Sequence, residues 1–312
     1  MSSLTRDSKK RLPVRESFRI ESILAGLELG PSDVPMLSYL DFIATQIPIG
    51  RINFVHIIPR VRLFTSAEEE QSFFEEQYQR TDELNEQIKE KVQGWGFAKR
   101  TAHIDYDIRI GNPLEELLNQ AKDLKPGLVI IGQRKKKSHH GILARNLARK
   151  VNSNALIIPE QAAHQLDHIL VPVDFSNHSV KALRLALNLR KWLHQKPRVS
   201  CLHIYELPNL PMDRTPSRAK VRGLLKEDRK AAFQAFLMRH FPAEVGKIEI
   251  ELIQKNGEPI SRHIQKFALA NQVDMTVMGA LGHSRVELLL MGSVTEKYLN
   301  LNQQIPTLIV KH

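Results

Sequence analysis

Asn256-Gly257-Glu258-Pro259, an amphipathic stretch, and then Val273-Asp274-Met275-Thr276-Val277-Met278-Gly279 form the part of this chain that decides its fold, because the first half carries the same succession. There, Ile110-Gly111-Asn112-Pro113 is followed by Leu114-Glu115-Glu116-Leu117-Leu118 and by Gly127-Leu128-Val129-Ile130-Ile131-Gly132. The glycine-proline turns stand 146 residues apart, at 111 and 257, and the glycines closing the apolar runs 147 apart, at 132 and 279. His56-Ile57 and His203-Ile204, each inside a β-like run, keep the same 147-residue offset. So many signals at one spacing mark a duplicated unit.

Within each unit, short β-branched runs alternate with longer amphipathic ones. In the second unit, His168–Val173, Val199–Tyr205, Lys247–Ile253, Val273–Met278 and Thr307–Val310 read as strands, and 177–194, 217–240, 259–271 and 293–301 have helical spacing. The first repeats this with strands near 22–28, 52–58, 103–109, 128–132 and 155–158. Strand and helix in alternation give an open parallel sheet with right-handed crossovers and helices on both faces. The expected fold is α/β, two tandem copies of a five-stranded Rossmann-like unit: an arm at 1–19, a domain at 20–160, a linker at Glu160–Asp167 and a domain at 167–312. The last strands of the copies, Leu156–Pro159 and Leu308–Lys311, are expected to pair or pack, so that one chain imitates a dimer. In such sheets ligands sit beyond the carboxyl ends of the strands where strand order reverses, which directs attention to the ends of strands one and four.

The chain has 312 residues, 42% hydrophobic, enough for two cores. Its formal charge of +11 favours anionic partners. That charge is uneven: 1–160 carries 24 basic and 21 acidic side chains, and 161–312 carries 21 and 13. A single cysteine, Cys201, rules out an intramolecular disulfide and a multi-thiolate metal site, and reads as a core residue. With no apolar run of the ~18–20 residues a membrane helix needs, the expectation is a cytoplasmic protein without a membrane span.

After strand four of the second unit comes Gly279-Ala280-Leu281-Gly282, nine residues, and Gly292-Ser293-Val294-Thr295-Glu296. Glycines admit positive φ and leave no side chain between backbone N–H groups and an anion. Ser293 to Glu296 has capping-box spacing, so the last helix is expected to start there and aim its positive end at the loop. Asp174 ahead of Ser176 also has the makings of a helix N-cap turn; beside this loop the ligand reading takes precedence. In the nine-residue insert, His283 and Arg285 read equally as phosphate contacts or solvated cations, and Leu288–Met291 as a buried segment. His203 reads as a satisfied strand histidine.

Ile169-Leu170-Val171-Pro172-Val173-Asp174-Phe175-Ser176, Leu202-His203-Ile204 and the glycine loop together resemble the universal stress protein family in its ATP-binding branch, over essentially all of 167–312 and more faintly over 20–160. The resemblance implies an adenine nucleotide alpha hydrolase-like fold. It implies an ATP site in which Asp174 and the backbone around Pro172, Val173 and Ile204 meet the base and ribose, Gly279, Gly282, Gly292, Ser293 and Val294 cradle the phosphates with Mg²⁺, and Met278 also contacts the nucleotide. It further implies a regulatory stress-response module that is not an enzyme beyond slow hydrolysis, with an intramolecular pseudo-dimer, room for a homodimer, and an unidentified protein partner.

The first unit has lost this loop. Lys135, Arg145 and Asn146 stand for Gly282, Gly292 and Ser293, and Glu28 answers Asp174, so this copy is not expected to bind ATP in the family manner. Residues 134–150 hold seven basic side chains and no acidic one, Arg134, Lys135, Lys136, Lys137, Arg145, Arg149 and Lys150. They read as a solvated face, because no aromatic residues interleave them to stack bases; a scaffold for nucleic acid or an acidic partner is the alternative. His139-His140 is too short to argue a metal, and Glu68–Glu90 reads as an acidic helical face. No phosphate loop of the Gly-x-x-x-x-Gly-Lys type and no Gly-x-Ser-x-Gly elbow occurs. An ATP-dependent hydrolase or transferase on the same fold remains the enzymatic alternative.

Overall fold

The computed structural model describes residues 19–31, 33–60, 71–72, 75, 80–134, 140–207, 218–282 and 291–311. The arm, Lys135–Lys137, His139, His283, Arg285 and Leu288–Leu290 lie outside them, as does most of 68–79.

The first half runs β1 (Ile20–Leu27), α1 (Asp33–Gln46), β2 (Ile49–Pro59), α2 (Thr81–Gln93), β3 (His103–Gly111), α3 (Pro113–Leu124), β4 (Leu128–Gln133), α4 (His140–Lys150) and β5 (Asn154–Pro159). The second half runs β6 (His168–Pro172), α5 (Asn177–Trp192), β7 (Arg198–Tyr205), α6 (Arg218–His240), β8 (Glu249–Gln254), α7 (Ile260–Ala270), β9 (Met275–Gly279), α8 (Ser293–Leu301) and β10 (Thr307–Val310). One further helical turn, Phe97–Arg100, precedes β3. The strands read from the β-branched runs are all present, shifted at their ends by no more than about three residues, where capping and loop contacts rather than pattern set the boundary.

All ten strands join one sheet in the order β3-β2-β1-β4-β5-β10-β9-β6-β7-β8. Pairing inside each half is parallel. The halves meet through an antiparallel pair, with Thr307 opposite Ile157, Leu308 opposite Leu156 and Ile309 opposite Ala155. The expected pairing of the last strands is therefore present. Side chains hold the seam too: Asn154 Oδ1 accepts from the Lys311 N–H at 2.9 Å, Lys311 Nζ donates to Arg149 O at 3.0 Å, and Gln133 Nε2 donates to Leu299 O at 3.0 Å. The connection between the halves is docked: Leu166 is buried, and His164 sits against Tyr39 and Phe42 with Ser38 Oγ 3.0 Å from its ring.

A parallel sheet buries both faces, so its strands are continuously apolar. On one face α1, α2, α5 and α6 pack over Ile23, Phe54, Leu156, Val171 and Val310; on the other α3, α4, α7 and α8 pack over Leu24, Val129, Ile157, Leu170 and Ile309. Each core layer runs unbroken from one half into the other. Cys201 is fully buried, and burial raises its thiol pKa, in keeping with the core reading. Arg198 and the short His168 to Ser200 contact close the amino ends of β6 and β7.

Because the layers are shared, the halves should unfold together. Trp95 and Trp192 are the chain's two tryptophans, one in each half, so Trp95→Phe and Trp192→Phe leave one reporter apiece. Their denaturant transitions are expected to coincide. Ile309→Ala, which removes a fully buried side chain from the seam, should move both midpoints down together by about 2–5 kcal/mol. Separate transitions would contradict a shared core.

Candidate functional site

In each half one strand is flanked on one side by its successor and on the other by the fourth strand: β1 lies between β2 and β4, and β6 between β7 and β9. The chain leaves these neighbours in opposite directions, which opens a crevice at their carboxyl ends. In the second half that crevice is a cavity of about 290 Å³.

All ten residues named from the sequence line it. Pro172, Val173 and Asp174 come from the end of β6, Ile204 from β7, and Met278 and Gly279 from β9. Gly282 closes the strand-to-loop turn, while Gly292, Ser293 and Val294 open α8. Sequence reasoning passed over Ser179, Leu202, Ile260, Ile264, Leu281 and Thr295, which line it as well. The last strand and helix boundaries gave no signal for them, except that Ile260 and Ile264 lie four residues apart on the apolar stripe of α7.

The turn after β6 is held by its own side chains. Asp174 Oδ1 accepts from the Ser176 N–H at 3.1 Å and from Ser179 Oγ at 2.5 Å, and Ser179 Oγ in turn accepts from the Asp174 N–H at 3.0 Å. Ser176 caps α5 by accepting from the Ser179 N–H at 3.2 Å. The N-cap reading and the ligand reading of this segment thus coexist, since one carboxylate oxygen serves the turn while the residue faces the cavity. Phe175 between them takes φ +64°, a conformation unfavourable for a residue with a side chain. Its ring compensates by packing on His203, Phe233 and Phe236 at centroid distances of 4.5, 5.4 and 5.5 Å. His203 is buried and bonds through Nδ1 to Val173 O at 2.8 Å, a satisfied strand histidine as read.

The glycines work by close approach. None of Gly279, Gly282 and Gly292 has positive φ, contrary to the expectation; the positive-φ glycines among the described residues are Gly111, Gly246 and Gly257. A Cβ on residue 279 would stand 2.7 Å from His178 Cβ and 2.9 Å from the His178 backbone carbonyl, so Gly279 lets α5 lie on the strand end. At residue 282 it would stand 2.7 Å from Asp174 Oδ2, so Gly282 brings the loop onto the carboxylate. At 292 the nearest atom would be Gly282 N at 3.4 Å.

The start of α8 also departs from the expectation. Gly292 is the N-cap, without a side-chain bond, and Ser293 is the first helical residue. The capping box does not form because the strand end fixes this terminus instead: the Gly292 N–H donates to Ala280 O at 2.6 Å and Thr295 Oγ1 to Gly279 O at 3.0 Å. Ser293 is left exposed. Glu296 N is the first to close the helical ladder, on Gly292 O at 3.0 Å. The N–H groups of Ser293, Val294 and Thr295 therefore have no acceptor within the helix, and with the helix dipole they make an anion-receptive end.

In the first half the matching crevice is a cavity of about 180 Å³, and Arg134 and Glu28 pair across it. Of the other described members of the 134–150 basic cluster, Arg149 lies 4.0 Å from Glu296. Among the described residues no group of three or more His, Cys, Asp or Glu is arranged to hold a metal, and no helix is long and apolar enough to cross a membrane.

This is a Rossmann-like α/β protein of the adenine nucleotide alpha hydrolase-like type, with a glycine-bounded crevice at a strand switch point. The universal stress protein family model matches residues 165–311. A universal stress protein of Methanocaldococcus jannaschii is 30% identical over 145 residues, which are 46% of this chain and 81% of that one. The chain belongs to the universal stress protein family. Among solved structures, a universal stress protein from Archaeoglobus fulgidus DSM 4304 superposes with TM-score 0.60 at 16% identity, covering 95% of this chain and 98% of that one. A putative universal stress protein from Pseudomonas aeruginosa UCBPP-PA14 does so with TM-score 0.59 at 16% identity, covering 93% of each. These two share the fold across both halves.

Two measurements separate packing from binding here. Gly279→Ala places its methyl against the α5 backbone and should lower stability by about 1–3 kcal/mol in a denaturant titration; an unchanged midpoint would refute the packing role. Burial holds the pKa values of His168, His178 and His203 below the ordinary histidine value. The unfolded chain therefore takes up protons as the pH drops through about 6.5 while the folded chain resists. Stability should be full above that value and fall progressively below it, read as a lower thermal midpoint at about pH 5.5 than at about pH 7.5.

Proposed function

We propose that this chain is a tandem universal stress protein, with domains at 20–160 and 167–312, whose second domain binds ATP in the cavity between β6, β9 and α8. The observation that carries the reading is the convergence of Asp174, the Gly282 backbone and the amide end of α8 on one cavity. A polyanion needs open main-chain donors, and Ser293, Val294 and Thr295 supply them beside Gly292, which has no side chain to stand in front of them. The nucleoside end needs an apolar slot with a few oriented polar groups. Pro172, Val173, Ile204, Ile264 and Met278 line such a slot, and Asp174 stands at its rim as an acceptor for ribose hydroxyls.

The residues fit the nucleotide on a geometrical ground: the helix end with open amides, Ser293 to Thr295, lines the same cavity as the Asp174 carboxylate. Mg²⁺ fits only as a companion of the phosphates, with Asp174 the nearest carboxylate, because the described residues build no separate metal cage. When bound, the ion would neutralise phosphate charge. The protein's part is binding and orientation, with Ser293 Oγ adding a hydrogen bond. Nucleotide occupancy then biases a surface for a protein partner. The first domain, with Arg134 paired to Glu28 where the phosphates would lie, does not take ATP. The seam of β5 and β10 makes the single chain a pseudo-dimer in the cytoplasm.

Gly282→Lys copies the first half into the second. In isothermal titration with ATP it should reduce affinity to below about a tenth of the wild-type value, while circular dichroism stays unchanged. Unaltered affinity would remove the glycine argument, and absence of any ATP-dependent thermal shift in the wild type would remove the nucleotide reading.

A further inference from the structure

The first-half cavity has a ligand chemistry of its own. It lies past β1 and β4 in a mostly apolar lining that includes Met36, Val55, Leu117 and Leu143. At about 180 Å³ it is somewhat larger than an engineered cavity of roughly 150 Å³ that holds a benzene ring. It takes a group up to the size of a phenyl ring and is too small for a nucleotide.

Its polar side differs from that of the second half at three equivalent positions. Glu28 replaces Asp174, Arg134 replaces Leu281, and Asp33 replaces Ser179. The backbone is retained: Leu29, like Phe175, has positive φ, and Glu28 N–H donates to Asp33 Oδ1 at 2.9 Å, just as Asp174 N–H donates to Ser179 Oγ. His56 Nδ1 meets Leu27 O at 3.0 Å, as His203 meets Val173 O. Asp33 is committed to this turn: it is buried, one oxygen takes the Glu28 amide, and the other faces Lys91 Nζ at 3.6 Å.

What the cavity offers a ligand is the ion pair beside that turn. Glu28 and Arg134 both line the cavity and touch each other, and their side chains remain 32% and 30% exposed, within reach of a solute. The carboxylate only accepts hydrogen bonds and the guanidinium only donates them. An entering anion gains from Arg134 and is repelled by Glu28; a cation meets the reverse. A neutral polar group would exchange contacts between charges for weaker ones with a dipole. A ligand with one charge of each sign gains at both residues together, and at a partly exposed pair its charged groups keep part of their hydration. Both charges then stand beside Glu28 and Arg134, and the rest of the ligand has an apolar cavity to fill. An α-amino acid has this arrangement, with ammonium, carboxylate and side chain on one carbon.

We infer that this cavity binds an apolar α-amino acid as its zwitterion, the ammonium against Glu28, the carboxylate against Arg134 and the side chain among Met36, Leu117 and Leu143. The second half receives anions through amides; the first receives a dipolar ion through two opposite charges. This inference concerns a different cavity and stands whether or not the second one takes ATP.

Phenylalanine, phenylethylamine and phenylpropanoate test it, since they share a phenylethyl body and carry both charges, the cation alone and the anion alone. Methyl-resolved NMR of the full chain reads ring-current shifts at Met36, Leu117 and Leu143, with Met278 in the other cavity as internal reference. Phenylalanine is expected to shift the first set in a saturable way. Each single-charge analogue should bind at least about tenfold more weakly, the scale of one hydrogen bond between charged groups. Arg134→Gln should bring the preference over phenylethylamine to near unity, and Glu28→Gln the preference over phenylpropanoate. Thermal unfolding checks that both variants fold, and the wild-type analogue series decides alone if either does not. The proposal is overturned by no shift at Met36, Leu117 and Leu143 up to the solubility of phenylalanine. Shifts confined to Met278, an analogue that binds as tightly as phenylalanine, or preferences that survive both substitutions would equally overturn it.

Discussion

Two hydrogen bonds lay the last helix against the end of a strand: Gly292 N–H to Ala280 O, and Thr295 Oγ1 to Gly279 O. They fix where α8 begins and which way its open amides face, and the rest of the site follows. Beside that terminus, Gly282 comes up against the end of β6, where only glycine clears Asp174. The turn after β6 is the one also found after β1 in the first half, where Leu29 likewise has positive φ. It adopts a left-handed residue at Phe175 and recovers the strain through the aromatic cluster around His203. A helix start, a glycine and a carboxylate are thus brought together at one strand end.

The duplicated architecture and the alternating strands were readable in the sequence because burial on both faces writes itself as β-branched runs, and gene-length periodicity survives divergence. That the ten residues named from the sequence line one cavity was readable because a glycine loop between a strand and a helix can be placed on a topology. What could not be read was the reason each glycine is there. Gly279, Gly282 and Gly292 look alike in the sequence, yet the first accommodates α5 backbone, the second a carboxylate, and none uses positive φ. The capping box at Ser293 misled for a related reason. Local spacing competes with a tertiary bond, and the bond to Ala280 wins. Leu29 and Phe175 carry no local signal for positive φ at all; the strain is imposed by the strand-to-helix turn and tolerated because packing over-determines it. Asp33 was invisible because a carboxylate in the first turn of a helix is common on dipole grounds, and only the fold shows it buried.

The two halves keep one backbone and divide its chemistry. At the switch point after the first strand, both hold a left-handed residue, a strand histidine bonded to the preceding strand, and a side-chain acceptor for the amide of the acidic residue. Changing that acceptor from a hydroxyl to a carboxylate, and a leucine to an arginine, adds one charge of each sign at the crevice without moving a strand. Divergence of a duplicated unit is least costly at such positions, because the side chains concerned point into the crevice and no core layer depends on them.

The antiparallel seam sets the geometry between the cavities. Strands run parallel within each half, so reversing direction between β5 and β10 turns the two sets of carboxyl ends toward opposite edges of the sheet. The cavities cannot share a ligand, but they share a helix. Helix α8 lines the second cavity with its first residues, and toward its other end, about 9 Å from Ser293 at 1.5 Å per residue, Leu299 O accepts from Gln133 Nε2. Gln133 is buried between Gly132 and Arg134, both of which line the first cavity. A displacement of α8 along its axis would therefore stretch a buried bond anchored between two walls of the opposite site. Because both core layers cross the seam without a break, neither half can absorb that displacement alone.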